Sequence, residues 1–164
     1  MSLHDDLLKQ AQQLARSEPK RPKQASLRRA VSAAYYALFH LLVHEGSVAL
    51  SPLASPKVRS IVARTYQHAD MKKVAAQVSK KNLPKPYQSL GLSLAPELVD
   101  VAKTFTELQD ARHSADYDVR AQLQRRAVLD LVAQAEEAFR CWKLCRRTEA
   151  AQVFLMAMLL KGRD

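Results

Sequence analysis

Apolar residues recur at intervals of three and four positions along most of this chain, which is the spacing of one face of an α-helix. In the first segment that face comprises Leu3, Leu7, Leu8, Ala11 and Leu14. The prolines Pro19 and Pro22 then break the helix. Ser26 is suited to cap a second helix, because its hydroxyl can accept a hydrogen bond from a free first-turn amide. This second helix is predicted to run to about Glu45 and to stop at Gly46.

The remainder of the chain continues the helical pattern with two interruptions. One or two helices are predicted over residues 57–79, with a break near residues 68–70, and the proline-containing residues 82–96 are predicted to form a loop. A helix then begins at Pro96, where proline fits a first turn. A last long helix is predicted from about Asp118, and its pattern weakens at residues 146–149 before an apolar segment at residues 153–160.

The sparse glycine content decides the fold class. With 3 glycines in 164 residues and many strong helix formers, the chain is predicted to be all-α. Its length suits a single domain, residues 1–164, in which residues 1–145 form a helical bundle and residues 146–164 a C-terminal apolar helical extension. Because residues 153–160 are apolar on all sides, that extension is either buried in its own core or covers a second subunit.

Two further features bear on location. The apolar segment at residues 153–160 is far shorter than the roughly 20 residues needed to span a bilayer. No charged start followed by an apolar run opens the sequence, so no signal peptide is predicted and a cytoplasmic location is expected. Cys141 and Cys145 lie four residues apart on a predicted helix, a spacing too wide for a disulfide, so two reduced and partly buried thiols are expected.

The charge of the chain is strongly positive and unevenly distributed. Lys and Arg number 26 against 16 Asp and Glu, which gives a formal net charge of +10. Eight of these basic residues lie between Lys57 and Lys85, where Asp70 is the one acidic residue. Such a stretch is often a solvated surface, but the asymmetry favours an anionic partner. The candidates within it for binding nucleic acid are Arg64, Lys72 and Lys73.

The second helix carries a stripe of polar and aromatic residues beside an apolar face, which comprises Val31, Tyr35, Leu38 and Leu42. Arg29, Tyr36, His40 and His44 fall on one line at about 100° per residue. Arginine, tyrosine and histidine can clamp phosphate, stack on bases and transfer protons, so Arg29, Tyr36 and His40 are candidate nucleic-acid-binding residues. The alternative is that Tyr36 and His40 form hydrogen bonds within the bundle.

A second group of polar residues interrupts the core face of the helix that begins at Pro96. Arg112 occupies a position that the helical pattern reserves for an apolar residue, and Asp116 lies one turn later. A guanidinium withdrawn from water and steadied by a carboxylate is a preorganised fork for a phosphate, so Arg112, Asp116 and Tyr117 are the candidate catalytic residues. The alternative is an ion pair that ties two helices together. His113 is rotated about 100° from Arg112 and is expected to face another surface.

Both segments resemble the HEPN superfamily of small helical domains. Residues 32–40 read Ser-Ala-Ala-Tyr-Tyr-Ala-Leu-Phe-His and residues 112–117 read Arg-His-Ser-Ala-Asp-Tyr. They are similar to the branch with an early S-x-x-Y-Y-A-x-F helix and a late R-x-x-A-D-Y helix. The resemblance covers mainly residues 24–45 and 97–143, and it implies an up-and-down bundle of four to six helices that forms a homodimer, with the late-helix arginines meeting in a cleft between subunits.

The resemblance also implies RNA as the partner. Active members of the superfamily are metal-independent ribonucleases of toxin–antitoxin or defence systems, in which an arginine and a histidine four to six residues later act on the scissile phosphate. Arg112 matches that arginine, but the histidine is missing, because Tyr117, Asp118 and Val119 follow instead. A degenerate active site is therefore expected, and no cofactor or metal is implied.

Three functions are compatible with these residues. The first is an RNA-associated protein that binds or cleaves RNA at Arg112, Asp116 and Tyr117. The second is a non-catalytic helical adaptor for a partner such as a nucleotidyltransferase-like antitoxin, in which residues 153–160 would be the functional surface. The third is a pocket for a mononucleotide or another small ligand in the bundle.

Overall fold

The computed structural model describes residues 2–160 and is all-α, with no strand among those residues. This confirms the predicted fold class. The described residues form seven α-helices, one more than the upper limit of the predicted range, and one short 3-10 turn. Their bounds are α1 Leu3–Arg16, α2 Gln24–Leu50, α3 Pro56–Ala63, α4 His68–Val78, α5 Pro96–Tyr117, α6 Arg125–Cys145 and α7 Glu149–Leu159, with the 3-10 turn at Tyr87–Leu90.

Helix α2 is longer than the sequence predicts, because it continues through Gly46 to Leu50. The prediction that glycine ends this helix was wrong. A β-carbon at Gly46 would lie 2.0 Å from the hydroxyl oxygen of Tyr66, so the glycine is there to admit the tyrosine against the helix backbone rather than to provide a left-handed cap.

Helix α6 begins at Arg125, seven residues after the predicted start near Asp118. The intervening residues 118–124 form a linker that polar side chains of α2 hold in place. Gln24 donates from Nε2 to the carbonyl of Leu123 at 2.9 Å and accepts from the amide of Leu123 at 2.9 Å. These hydrogen bonds satisfy backbone groups that a helix would otherwise satisfy, which is why the linker is stable without helical structure.

The chain contacts divide the described residues into two compact units. Unit 1 comprises residues 2–40 and 104–139, and unit 2 comprises residues 41–103 and 140–160. Helices α2, α5 and α6 each contribute residues to both units. The single domain predicted from the sequence stays a prediction.

The core of unit 1 is built from α2, α5 and α6. Its largest fully buried side chains are Leu27, Tyr35, Leu38, Phe105 and Leu108. The rings of Tyr35 and Phe105 lie 5.6 Å apart between their centroids, a separation typical of favourable aromatic packing. This core fixes α2 beside the last turns of α5, where the two polar segments of the sequence meet.

In unit 2 the apolar helix α7 packs against α4 and is largely buried. Val153, Phe154 and Leu155 are each at most 4% exposed, and Tyr66 donates from its hydroxyl to the carbonyl of Leu155 at 3.2 Å. Of the two alternatives for this segment, burial in its own core is the one observed. Residues 161–164 of the predicted C-terminal extension lie outside the described residues.

Cys141 and Cys145 are both buried and form no disulfide, as predicted. Desolvation raises the pKa of the Cys145 thiol to about 12, and the neighbouring Cys141 thiol adds to the shift. Within residues 2–160, no helix has both the length and the apolar character that a membrane span requires.

Candidate functional site

The site lies at the C-terminal end of α5, which Arg28 of α2 fastens from the side. The Arg28 guanidinium donates from Nη1 to the carbonyls of Ala115 at 2.6 Å and Asp118 at 3.0 Å, and from Nη2 to the carbonyl of Ala121 at 2.6 Å. The last carbonyls of a helix have no partner within the helix and carry partial negative charge. Arg28 therefore stabilises both the last turn of α5 and the linker that follows it.

Arg112 lies on the last turns of α5 facing α2, and it is mostly withdrawn from water. Its side chain is 14% exposed. The guanidinium carbon lies 5.2 Å from the centroid of the Tyr35 ring and 5.8 Å from that of the Tyr36 ring, within the range of cation–π attraction. The Nε atom is buried and has no hydrogen-bond partner among the described residues.

A carboxylate and a hydroxyl complete the surroundings of Arg112. Nη1 of Arg112 lies 3.4 Å from Oδ2 of Asp116, one turn later on α5. The other carboxylate oxygen, Oδ1, accepts a hydrogen bond of 2.6 Å from the hydroxyl of Ser32 on α2. Because one oxygen of Asp116 is held from each helix, the carboxylate orients the guanidinium instead of moving with it.

The ring beneath Arg112 stays neutral. Burial raises the pKa of the Tyr35 hydroxyl well above its ordinary value, and the positive charge of Arg112 opposes this shift only in part. Tyr35 thus presents a neutral aromatic face to the guanidinium, which suits a cation–π contact and leaves the positive charge of Arg112 to be balanced by Asp116.

His113 and Tyr117 form a second pair of side chains near the C-terminal end of α5. The rings of His113 and Tyr117 lie 4.9 Å apart between centroids, and the side chain of Tyr117 is 67% exposed. His113 contacts Tyr117 rather than Arg112, in line with its expected orientation. Tyr117 lies five residues after Arg112, so its exposed ring is turned about 140° around the helix axis from the guanidinium.

The stripe on α2 is only partly drawn into this cluster. Tyr36 contacts Arg112, and the centroid of the His40 ring lies 6.2 Å from that of the Tyr36 ring. Burial, followed by the charge of His4, lowers the pKa of His40. Arg29 is exposed, and the structure shows no contact that joins it to Arg112.

The basic candidates of the middle region belong to unit 2. Arg64 caps the C-terminus of α3, and Lys72 and Lys73 lie on α4. The cluster around Arg112 is formed entirely by residues of unit 1, so these three candidates are not part of it.

Two residues that contribute to the site were not among the predicted site residues. Tyr35 was assigned only to the apolar face of its helix, yet its ring supports Arg112. Arg28 was not singled out, because a surface arginine among several gives no local signal that it caps a helix remote in sequence. Within the described residues no group of His, Cys, Asp and Glu could hold a metal ion.

Comparison with protein-family models, with characterised proteins and with solved structures found no match for this chain.

Proposed function

We propose that this chain is a HEPN-like RNA-associated protein that binds a phosphate group of RNA at Arg112. The observation that carries the proposal is the Arg112 guanidinium, held by two tyrosine rings on α2 and oriented by Asp116. Arg112 and Asp116 both lie on α5, so their ion pair does not itself join two helices.

The arrangement is preorganised for an anion with several oxygen atoms. A guanidinium that is already positioned loses little conformational freedom on binding and can donate two parallel hydrogen bonds to a phosphate. Arg112 also has one buried donor, Nε, without a partner among the described residues. The partial withdrawal from water strengthens its attraction for a phosphate.

The exposed ring of Tyr117 favours RNA over a simple anion. Nucleobases stack on aromatic side chains at the surface of RNA-binding proteins. His113 supports the Tyr117 ring from one side at 4.9 Å, and the exposed part of this ring is turned about 140° around α5 from Arg112. An RNA strand that places a phosphate on Arg112 can stack the base of a neighbouring nucleotide on Tyr117.

Binding is better supported than cleavage. Attack by a 2′-hydroxyl needs a proton acceptor within hydrogen-bond reach of it, and imidazole is the usual one. Among the described residues Arg112 contacts two tyrosine rings and a carboxylate but no imidazole. The proposed function is therefore RNA binding, with at most slow metal-independent cleavage.

The adaptor alternative depended on an exposed apolar C-terminal surface. Helix α7 buries Val153, Phe154, Leu155, Ala157 and Met158 within unit 2, which takes away the surface that was to receive a nucleotidyltransferase-like partner. We therefore place RNA association first. A homodimer, which the HEPN resemblance implies, is part of the proposal and is tested by sedimentation velocity of the purified chain.

The test is the affinity for a fluorescein-labelled single-stranded RNA, measured by fluorescence anisotropy. Arg112→Ala is expected to weaken binding at least about tenfold, because a charge-assisted contact is worth roughly 1.5–3 kcal/mol. Arg112→Lys keeps the charge but loses the planar fork, so an intermediate affinity is expected. The same samples in excess EDTA, resolved on a denaturing gel, report any cleavage.

Arg126→Ala is the matched control, because Arg126 forms the same type of ion pair one turn along a helix of unit 1. Its Nε lies 3.3 Å from Oδ1 of Asp130, but its side chain is 86% exposed. Equal losses of affinity in Arg112→Ala and Arg126→Ala would show a diffuse charge effect and would contradict the proposal. Unfolding of Arg112→Ala, seen by circular dichroism, would move the decision to Arg112→Lys.

A further inference from the structure

The Arg112 site offers a place for one phosphate of a bound RNA, and the phosphates that follow it need another surface. The sequence singles out residues 57–85 as the most basic stretch of the chain. Because the phosphates of an RNA strand are covalently continuous, those that follow the first one must meet surface that adjoins the site. The chain leaving Tyr117 identifies that surface.

The linker at residues 118–124 leads directly away from the site. Its backbone is fastened by Arg28 and Gln24. Arg120 lies in this linker and is exposed, and three residues of chain place its Cα within about 11 Å of that of Tyr117. The amide of Arg120 donates to Oδ1 of Asp118 at 3.0 Å, so the backbone at this position is fixed.

A second loop, between α1 and α2, is joined to the end of this linker. Arg125 donates from Nη2 to the carbonyls of Ser17 at 2.6 Å and Glu18 at 2.5 Å, and from Nη1 to the carbonyl of Pro19. Gln24 at the other end of the loop pairs with Leu123. The loop and the linker therefore lie side by side in unit 1.

The joined segments present a row of cations. Their exposed basic residues are Lys20, Arg21, Lys23 and Arg120, and we refer to them as the basic edge.

The nearest acid in the loop, Glu18, is already engaged. Its carboxylate accepts hydrogen bonds from the amide of Lys23 and from the hydroxyls of Ser17 and Ser26. Desolvation acts to raise the pKa of Glu18, but these hydrogen bonds and the charge of Lys23 leave it below its ordinary value. The carboxylate thus stays ionised and turned into the loop, where it organises the backbone.

We propose that RNA bound at Arg112 continues across the basic edge of unit 1, and that the more basic residues 57–85 are not its path. This inference rests on the proposed function. Several bases of unit 2 have a structural reason to be there. Arg64 occupies the C-cap position of α3, and Lys80 and Lys81 follow the C-cap residue of α4; positive charge at these helix ends is favoured by the helix dipole. Arg59 donates to the carbonyls of Ser51 and Pro52.

The test is the salt dependence of RNA affinity in two variants that lose equal charge. The edge variant replaces Lys20, Arg21 and Lys23 by glutamine. The control variant replaces Arg64, Lys73 and Lys80, all exposed residues of unit 2, by glutamine. Each lowers the formal net charge by three, from +10 to +7, so the general attraction for a polyanion is equal in both.

The slope of log affinity against log salt concentration counts the phosphates neutralised, at about 0.7 for each contact with a single strand. With oligouridylate as the probe, the edge variant is expected to lower the slope by about 2 and the control variant to leave it unchanged. Circular dichroism of both variants checks that the fold is retained.

The outcomes separate this inference from the proposed function. A slope that falls as much or more in the control variant would overturn the inference and assign the path to residues 57–85. A slope unchanged in the edge variant, together with weakened binding in Arg112→Ala, would overturn the inference and leave the proposed function standing. Absence of RNA binding by the unaltered protein would overturn both.

Discussion

Replacing Arg28 by methionine tests whether the end of α5 must be held for the site to work. The three hydrogen bonds from its guanidinium to the carbonyls of Ala115, Asp118 and Ala121 measure 2.6, 3.0 and 2.6 Å. Methionine keeps much of the length and apolar packing of the side chain but donates no hydrogen bond. The variant therefore removes the contacts with the least change in volume.

The expected loss follows from the nature of these bonds. A hydrogen bond from a charged donor contributes about 1.5–3 kcal/mol when buried. The three carbonyl acceptors share one partly exposed guanidinium, and in the variant water can form hydrogen bonds with some of these carbonyls. The free energy of unfolding is therefore expected to fall by about 2 kcal/mol in total. That corresponds to about a 30-fold rise in the unfolding equilibrium constant, measured by urea denaturation followed by circular dichroism.

Arg125 provides the matched control, since it also donates to three backbone carbonyls, those of Ser17, Glu18 and Pro19. Arg125→Met loses the same charge and the same kind of contact at the end of α1. Both variants are expected to lose similar stability. Only Arg28→Met is expected to speed hydrogen exchange at residues 118–124, and it is expected to weaken RNA binding several-fold more than Arg125→Met.

The difference in affinity reports how well the site is ordered. The apparent dissociation constant rises in inverse proportion to the fraction of molecules whose site is correctly formed. Unchanged exchange at residues 118–124 in Arg28→Met would refute the reasoning, because the carbonyl contacts would then not be what holds the linker. Equal losses of RNA affinity in the two variants would show that only the charge of Arg28 matters.

Three further predictions concern stability and reactivity. Gly46→Ala is expected to destabilise the protein by about 1–3 kcal/mol through overpacking, since the added methyl would lie 2.0 Å from the Tyr66 hydroxyl, and adding Tyr66→Phe is expected to restore part of the loss in urea denaturation. Burial lowers the pKa of His40 below its unfolded value, so its contribution to stability is complete above about pH 6.5 and is lost as the pH falls through the lowered pKa; His40→Gln should reduce the pH dependence of the urea midpoint below about pH 6.5. Cys141 and Cys145 are buried, and desolvation raises the pKa of Cys145 to about 12, so Ellman's reagent is expected to react with both thiols only after unfolding; rapid labelling of the native protein would contradict their burial.

The sequence predicted much of the fold because the relevant signals are local. Helical periodicity and the prolines located most of the helices. The start of α6 was wrong because residues 118–124 are held by side chains that lie about a hundred residues earlier. The end of α2 was wrong because Gly46 accommodates Tyr66, a tertiary contact that outweighs the usual meaning of glycine at a helix end. Such contacts leave no trace in a local pattern.

The candidate site was predictable to a similar degree. Arg112 stood out because it occupies an apolar position, and its pairing with Asp116 followed from helix geometry. Tyr117 was predicted to join them, but it follows Asp116 by one residue, which turns its side chain by about 100° from that of Asp116 and away from the guanidinium. Tyr35 was read only as a core residue, because sequence spacing cannot show that a buried ring also supports a cation from a helix about seventy residues away.

The two units are interleaved along the chain, and this has a consequence for synthesis. Unit 1 needs residues 104–139 to accompany its first forty, and unit 2 needs residues 140–160 to accompany its middle segment. At about 5–20 residues per second, translation takes about 7–28 s to reach residue 139. Neither unit can complete its core before then, so the apolar faces of α1 to α4 stay exposed to solvent as they leave the ribosome. A nascent chain of this design exposes apolar surface for longer than one whose units follow each other in order.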